Sequence, residues 1–453
     1  MADTPLTTGI RFPQDYSIAN LTVLSAVGAF DLKNIRVELS YHEDLFNNAA
    51  SGYVMLTEAM NYIETLQLNG TEFLRVTFSA TGAEDTAVDK LFRIYKLDKK
   101  KLEGNLNTIS YCLYFCSEEM LLNEQYKICK AYPGSTISNN VKDILDNYLQ
   151  VQSYNVQETA GNYDFIIPTL KPFDAINFMS VYARPANGHP GSDMVFYEDK
   201  SGFNFRSLQS LMGSPVYRNY TYNPKNTDPT NLNADMFDVL TYEIMNSFDT
   251  LHGINSGAFA NQLISADILT RTKRVTNFDY GAYQSDKNTI QLNDYPLINR
   301  YKNRNGDETN QASGSMLKLI FSNFNENDSS YVKNVQDTSP TAVAHNIYAE
   351  TYVPFRTAQL ALSNYTRIKV SVPGDSNLTV GLVVGFSLNS VNPLNDGPDK
   401  FYSGNYLVTG VRHLISNRYI TVLELAKDSV TTPYASPDST SPTWDKTVKG
   451  ILL

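Results

Sequence analysis

"SGNYLVTGVRHLISNRYITVLELAKDSV", residues 403–430, reads as one long hairpin with no wet side. With Ser416-Asn417 as the turn, Val411 faces Val422 and His413 faces Ile420 on one side. Gly410 faces Leu423 and Val408 faces Leu425 on the other. Both faces carry apolar residues, so both need cover. One cover is the domain's own core. The other is a second layer, another domain or another subunit.

Upstream, "FRTAQLALSNYTRIKVSVPGDSNLTVGLVVGFSL" reads as a helix, a strand with Ile368, Val370 and Val372 in alternation, a Pro-Gly-Asp turn and a nearly continuous apolar strand. The hairpin closes this β domain. The first ~110 residues have the same character. "IRVELSYHE" is a strand, "SGYVMLTEAMNYIETL" a strand running into a short helix, and "LNGTEFLRVTFSA" a Gly turn and strand. "KLFRIYKLDKKKLEGNLNTISYCLYFCS" adds two strands around a charged turn. A Gly-containing turn before a strand in both regions hints at a duplication.

Between them the period changes from two to 3.6. Ser117 is placed to cap a helix through "EEMLLNEQYKICKAY", stopped by Pro133-Gly134. Val141, Ile144, Leu145, Tyr148 and Leu149 mark one face of a second helix. Pro172 opens a third, with Phe173, Ile176 and Met179 on one face. "DMVFYEDKSGFNFRSL" is a hairpin turning at Lys200 to Gly202. The expected fold is mixed β and α+β. Two β-barrel-like domains, 1–115 and 236–280 with 351–428, flank an α/β domain with linker at 116–235. A polar insertion spans 281–350, and 429–453 is an extended Pro/Ser/Thr tail.

The chain has 453 residues, roughly three domains' worth, and a formal net charge of -10. That charge disfavours wrapping nucleic acid, though not a channel through which DNA passes without sticking. Lys99-Lys100-Lys101 and Arg271 to Arg274 read as solvated loop or strand-end charges. No window holds the ~18 apolar residues of a membrane span, and the first residues lack the pattern of a secretory signal, so synthesis in a cytoplasm is expected. Cys112, Cys116 and Cys129 read as buried thiols, without partners for zinc or a disulfide scaffold.

The search for chemistry returns no catalytic motif, and neither a metal nor a cofactor is expected. None of His42, His189, His252, His345 and His413 pairs with another at ligand spacing. His413 reads as a satisfied core histidine, and His42-Glu43-Asp44 as a solvated turn. Glu118-Glu119 open a helix, where the dipole favours acids. Glu198-Asp199 sit by a hairpin turn. Gly381 and Gly385 ease strand bending. In the tail, Trp444, the only tryptophan, with Val448, Ile451, Leu452 and Leu453, forms a candidate partner-binding arm, against the plainer reading of a disordered end.

Several of these stretches, in order, resemble the central baseplate hub proteins of contractile-tailed bacteriophages. The group includes late control gene D proteins and the N-terminal part of valine-glycine-repeat spike proteins. The segments are "SGYVMLTEAMNYIETLQLNGTEFLRVTF", "LFRIYKL", "YCLYFCSEEMLLNEQYKICKAYPGSTISNNVKDIL", "DFIIPTLKPFDAINFMSVYA", "FYEDKSGFNFRSL" and "SGNYLVTGVRHLISNRYITVLELAKD", spanning about residues 30 to 428. The resemblance implies two tube domains per chain around an α/β domain. It implies a homotrimer that adapts a sixfold tail tube to a threefold central spike. Tube protein or tube initiator, spike and other baseplate proteins are the implied partners, with DNA only in transit and the virion tail as location. It implies no catalytic residues. Two other readings compete: a carbohydrate-binding tail adhesin, suggested by the Tyr and Asn content, and a cell-wall hydrolase acting through Glu118 or Glu198.

Overall fold

A computed structural model describes residues 14–80, 87–103, 108–186, 191–222, 238–267, 272–280, 290, 291, 293, 294, 317–321, 349–363, 365–390 and 397–432. The first region holds β1 (Tyr16–Ser25), β2 (Gly28–Asp31), β3 (Arg36–Asp44), β4 (Ser51–Glu58), α1 (Tyr62–Thr65), β5 (Phe73–Ala80), β6 (Val88–Glu103) and β7 (Thr108–Ser117). The strands lie in the order β3-β4-β7-β6-β5-β1-β2. Side chains alternate across the pleat, so Val54 and Leu56 of β4 are buried while Tyr53 and Met55 are half-exposed on the other face. The sheet curls over its inner face far enough for Phe78 of β5 to meet Tyr41 of β3, ring centroids 6.2 Å apart. Lys99 to Lys101 lie within β6 rather than in the turn after it.

The middle region holds α2 (Glu118–Gln125), β8 (Ile128–Ser135), α3 (Ile137–Ile144) continuing as a π-helical turn at Leu145–Leu149, β9 (Tyr154–Val156), β10 (Thr159–Ala160), β11 (Tyr163–Leu170), α4 (Pro172–Ser180), β12 (Arg184–Pro185), β13 (Met194–Asp199), β14 (Gly202–Ser207) and α5 (Leu208–Met212). Thr136 caps α3, its hydroxyl accepting from the Asn139 amide at 3.3 Å, and Pro172 starts α4 as its ring allows. Ile137, Val141, Ile144, Phe173, Ile176 and Met179 meet Phe196 and Phe205 in one core. The helix expected through residue 132 stops at Gln125, and Ile128–Ser135 pairs with β11. The buried residues Ile128 and Tyr132 are four apart, a spacing that suits both a helix face and a strand face. Pairing with β11 decides it.

The last region holds β15 (Val216–Tyr222), β16 (Thr241–Asn246), α6 (Thr250–Ser256), β17 (Ala260–Asp267), β18 (Thr272–Asp279), β19 (Asn293–Asp294), β20 (Leu317–Phe321), α7 (Ala349–Leu362), β21 (Thr366–Pro373), β22 (Val383–Leu388), β23 (Gly404–Ile415), β24 (Tyr419–Lys427) and β25 (Ser429–Val430). The second sheet region runs β16-β21-β24-β23, with β22 beside β23 and β15 beside β22. Between β16 and β21, strands β18-β17-β20 form a small separate sheet. Of the expected insertion at 281–350, only short pieces are among the described residues. Ser429 and Val430, expected to start the tail, are buried and pair with β19.

The two sheet regions are not separate barrels. β23 pairs antiparallel with β3, from Gly410 opposite Asp44 to Ile415 opposite Leu39, and joins them into one 13-stranded sheet. No closed barrel forms among the described residues, and the seam makes the two regions one continuous sheet.

The expected hairpin register is corrected by one residue. The turn spans Ser416 to Arg418, so Ile415 faces Tyr419, His413 faces Thr421, Arg412 faces Val422 and Val411 faces Leu423. A bulge at Thr409 restores Val408 opposite Leu425. One slipped residue exchanges faces. In the true register, Val411, His413, Ile415, Tyr419 and Leu423 share the inner face, and Arg412, Leu414, Ile420 and Val422 share a half-exposed outer one. The inner face serves two cores. Val411, Leu423 and Leu425 belong to that of the second region. Ile415 and Tyr419 at the tip fill that of the first.

The duplication is visible in the strand path. The order β3-β4-β7-β6-β5-β1 matches β16-β21-β24-β23-β22-β15 strand for strand. Bulges coincide at Tyr95 of β6 and Thr409 of β23. The Ile94 amide bonds to Glu72 as the Val408 amide bonds to Leu382. In strand direction only the last pair differs, β1 being antiparallel to β5 and β15 parallel to β22.

Candidate interaction site at the seam

Along the seam, Arg412 of β23 donates through Nε to Ser40 Oγ at 2.9 Å and through Nη2 to the Tyr53 hydroxyl at 2.8 Å. The Tyr53 hydroxyl donates to Glu38 at 2.5 Å. On the inner face, the His413 ring stacks on Tyr41 with centroids 5.8 Å apart, and its Nδ1 lies 2.8 Å from the Tyr419 hydroxyl. Burial holds its pKa down to about 3, so it is a neutral core histidine.

A buried polar junction ties the three regions together below the seam. His42, Glu43 and Asp44 lie in β3 rather than in a solvated turn, and Glu43 is buried. Its carboxylate accepts from the Tyr41 hydroxyl at 2.8 Å, the Val380 amide at 3.2 Å and the Thr379 hydroxyl. A first-region acid thus holds the β21–β22 loop of the second. Burial outweighs these donors and the nearby Lys90 charge, and pushes Glu43 up to about 7.

The middle region enters through Glu198 of β13, which lies 2.6 Å from Lys90 of β6. The side chains are only 6% and 12% exposed. Lys90 also donates to the Asp199 carbonyl. The other Glu198 oxygen accepts from the Ala50 amide at 2.8 Å and the Ser117 hydroxyl at 2.5 Å. Ser117 therefore serves this junction and makes no side-chain cap for α2. Burial, helped by the Glu198 charge, raises Glu119 to about 7. Lys200 donates to the Ser376 carbonyl at 3.1 Å and to Asn377 Oδ1 at 2.9 Å. Asp375 in the same loop pairs with Arg218 of β15 at 2.7 Å.

The outer face of the sheet is half-exposed. Tyr95, Tyr114, Tyr53 and His42 cross it from β6 to β3, with ring centroids 6.3, 6.0 and 6.2 Å apart in turn. With Arg412, Lys369 and Glu424 they line an open cavity of about 510 Å³. Charges on this face are mixed, with Arg75–Asp89 at 2.9 Å and Arg367–Glu424 at 2.6 Å.

Trp444, Val448, Ile451, Leu452 and Leu453 lie outside the described residues, as do His189 and His345. Cys112 and Cys116 are buried as expected, and Cys129 is exposed. Among the described residues, no group of three or more His, Cys, Asp or Glu side chains could hold a metal ion. No helix is long and apolar enough to cross a membrane, again among the described residues. Glu118 pairs with Arg93 at 2.8 Å, and Glu198 is taken up by the junction, so the two carboxylates weighed for hydrolysis are both engaged with cations. Sequence reasoning did not single out Lys90, and it read Glu43 as part of a solvated turn and Glu198 as a hairpin-turn acid or a hydrolase carboxylate rather than as members of a buried junction. Their one local signal is a charge at an inward position of an apolar strand.

No family model matches this sequence. The chain is 24% identical over 435 residues to a probable baseplate hub protein of Vibrio phage KVP40, covering 92% of this chain and 95% of that one. It shares its fold with a tail protein of Neisseria meningitidis MC58, with a TM-score of 0.51 at 10% identity over 91% of this chain and 97% of that one. It shares it also with the 43 kDa tail protein of prophage MuSo2 from Shewanella oneidensis, with a TM-score of 0.52 at 9% identity over 91% and 99%. The resemblance drawn from the ordered segments is thus met by a hub relative and by tail proteins along nearly the whole chain.

Proposed function

We propose that this chain is the structural hub of a contractile phage tail baseplate. Three copies form a ring between the sixfold tail tube and the threefold central spike, with a bore for DNA. The observation that carries the reading is the doubled strand path, two equivalent sheet regions per chain on one continuous sheet. Three chains supply six such regions, the number needed to meet a sixfold tube with a threefold assembly. The hub relative supports the same reading. The two sheet regions are the tube domains, and the middle region, from Glu118 to Met212, is the α/β domain between them; β15, expected within that domain at 116–235, pairs with β22 and belongs to the second sheet region. Tube protein or tube initiator, spike and neighbouring baseplate proteins are the partners. The tail with Trp444, Val448 and Ile451 to Leu453 is the spike contact. The protein works without catalysis, as part of the virion.

Negative-stain class averages of the purified protein at high concentration test this. Threefold rings with a central hole are expected, alone or once the cognate spike is added. Particles that stay monomeric with the spike present would overturn the reading. The alternative, a carbohydrate-binding tail adhesin, rests on the Tyr53, Tyr95 and Tyr114 cavity. It would gain if monomers bound surface glycan and a Tyr95→Ala variant did not.

A further inference from the structure

The doubled path leaves one asymmetry. β23 is long, and its two halves use the same edge differently. Gly404 to Leu407 pair with β22, and Gly410 to Ile415 pair with β3. Its counterpart β6 is built alike. Val88 to Arg93 pair with β5, but beyond Ile94 no strand among the described residues takes that edge. The counterpart of β3 is β16, which pairs with β21 and, among the described residues, with no strand on its other side. Each half of the internal seam therefore has an equivalent edge that no other described strand takes.

We infer that the open edge of β6 at residues 96–101 receives β16 (Thr241–Asn246) of a second copy, repeating between chains the seam that β23 and β3 make within one. Superposing the ladders places Gly410 on Lys96, Tyr41 on Ile244 and Asp44 on Phe248. Tyr41 at the internal seam is fully buried, whereas Ile244 is 37% and Phe248 68% exposed. An open strand edge flanked by exposed apolar side chains is a liability that pairing removes. Charge agrees: the register sets Glu243 opposite Lys101. The contact joins different edges of the two copies, so it is head-to-tail and closes only as a ring. This interface rests on the ring proposed above and specifies which strands form it.

Cysteines at Lys96 and Phe248, in a Cys129→Ser background, test it on the full chain with spike and tube protein present. Oxidation is expected to give a covalent ladder ending at the trimer for the double variant and monomer for either single variant. Lys96→Cys combined with Val27→Cys, at the β2 end of the sheet, is expected to give monomer. Rings without cross-linking of the 96/248 pair, or with cross-linking of 96/27, would overturn this interface and leave the hub reading standing. Neither rings nor cross-links would overturn both.

Discussion

The two sheet regions share a strand path and differ in what meets their edges. In the second region, β23 is paired on both sides along its length and its tip is sunk into its neighbour's core. In the first, the far half of β6 is paired, among the described residues, only with β7. Equivalent strands thus have unequal environments, and burial follows the edge rather than the sequence pattern. Tyr41 and Ile244 occupy equivalent rungs, the one buried and the other exposed. Core position here is a property of the partner strand as much as of the residue.

The sharpest way to break that comparison is Tyr41→Ala. Removing a large buried ring that stacks on His413 and touches Phe78 and Phe92 costs about 3–5 kcal/mol. Urea unfolding of the purified chain measures it. Lys90→Ala, which leaves Glu198 buried without its cation, costs about 3 kcal/mol by the same measurement. A Lys90→Met, Glu198→Gln double variant recovers part of that loss, because no charge is then stranded and the amide oxygen still accepts from the Ala50 amide.

Glu43→Gln sharpens the comparison through pH. The folded-state pKa of Glu43 lies above its ordinary value of 4.5, at about 7. The folded protein holds that proton more tightly than the unfolded chain. Its contribution is therefore full below pH 4.5 and is lost as pH rises through 7. Relative to wild type, the glutamine variant gains stability between those limits by up to about 1 kcal/mol per pH unit. Melting curves of both proteins at pH 5 and pH 7 check the sign. The wild type alone would not show it cleanly. His413 and His42, held down to about 3 and about 4, contribute stability that is full above 6.5 and lost on acidification.

The smallest effect is the most telling. Ile244→Ala, on the rung equivalent to Tyr41, changes the stability of the isolated chain by less than about 1 kcal/mol. If it costs as much as Tyr41→Ala in the monomer, β16 is already covered within one chain and the contrast between the two edges fails.

Most single elements were legible. Alternation in "RIKVSVP" and "SGYVMLTE", the Pro172 helix start and the Lys200 hairpin turn carry local instructions that tertiary contacts do not overrule. Misses came where two periods fit the same residues, as at Ile128 and Tyr132, or where the turn length was short by one residue, as at Ser416 to Arg418. The junction was the least legible part. Lys90 and Glu198 are 108 residues apart and Glu43 and Thr379 are 336 apart, and the chain between them carries no trace of the pairing.

By itself, the sequence determined the strands and helices, the ordered resemblance to hub proteins and the outline of a doubled β architecture. These depend on side-chain period and turn chemistry, which act over a few residues. The tertiary structure alone decided that the two β regions share one sheet, that the hairpin tip serves the other region's core, and that a buried acid and a buried ion pair lock the regions together. Those outcomes depend on which strand edges meet. Backbone hydrogen bonds at an edge are nearly the same for any sequence, and only the packing of the whole chain selects among them.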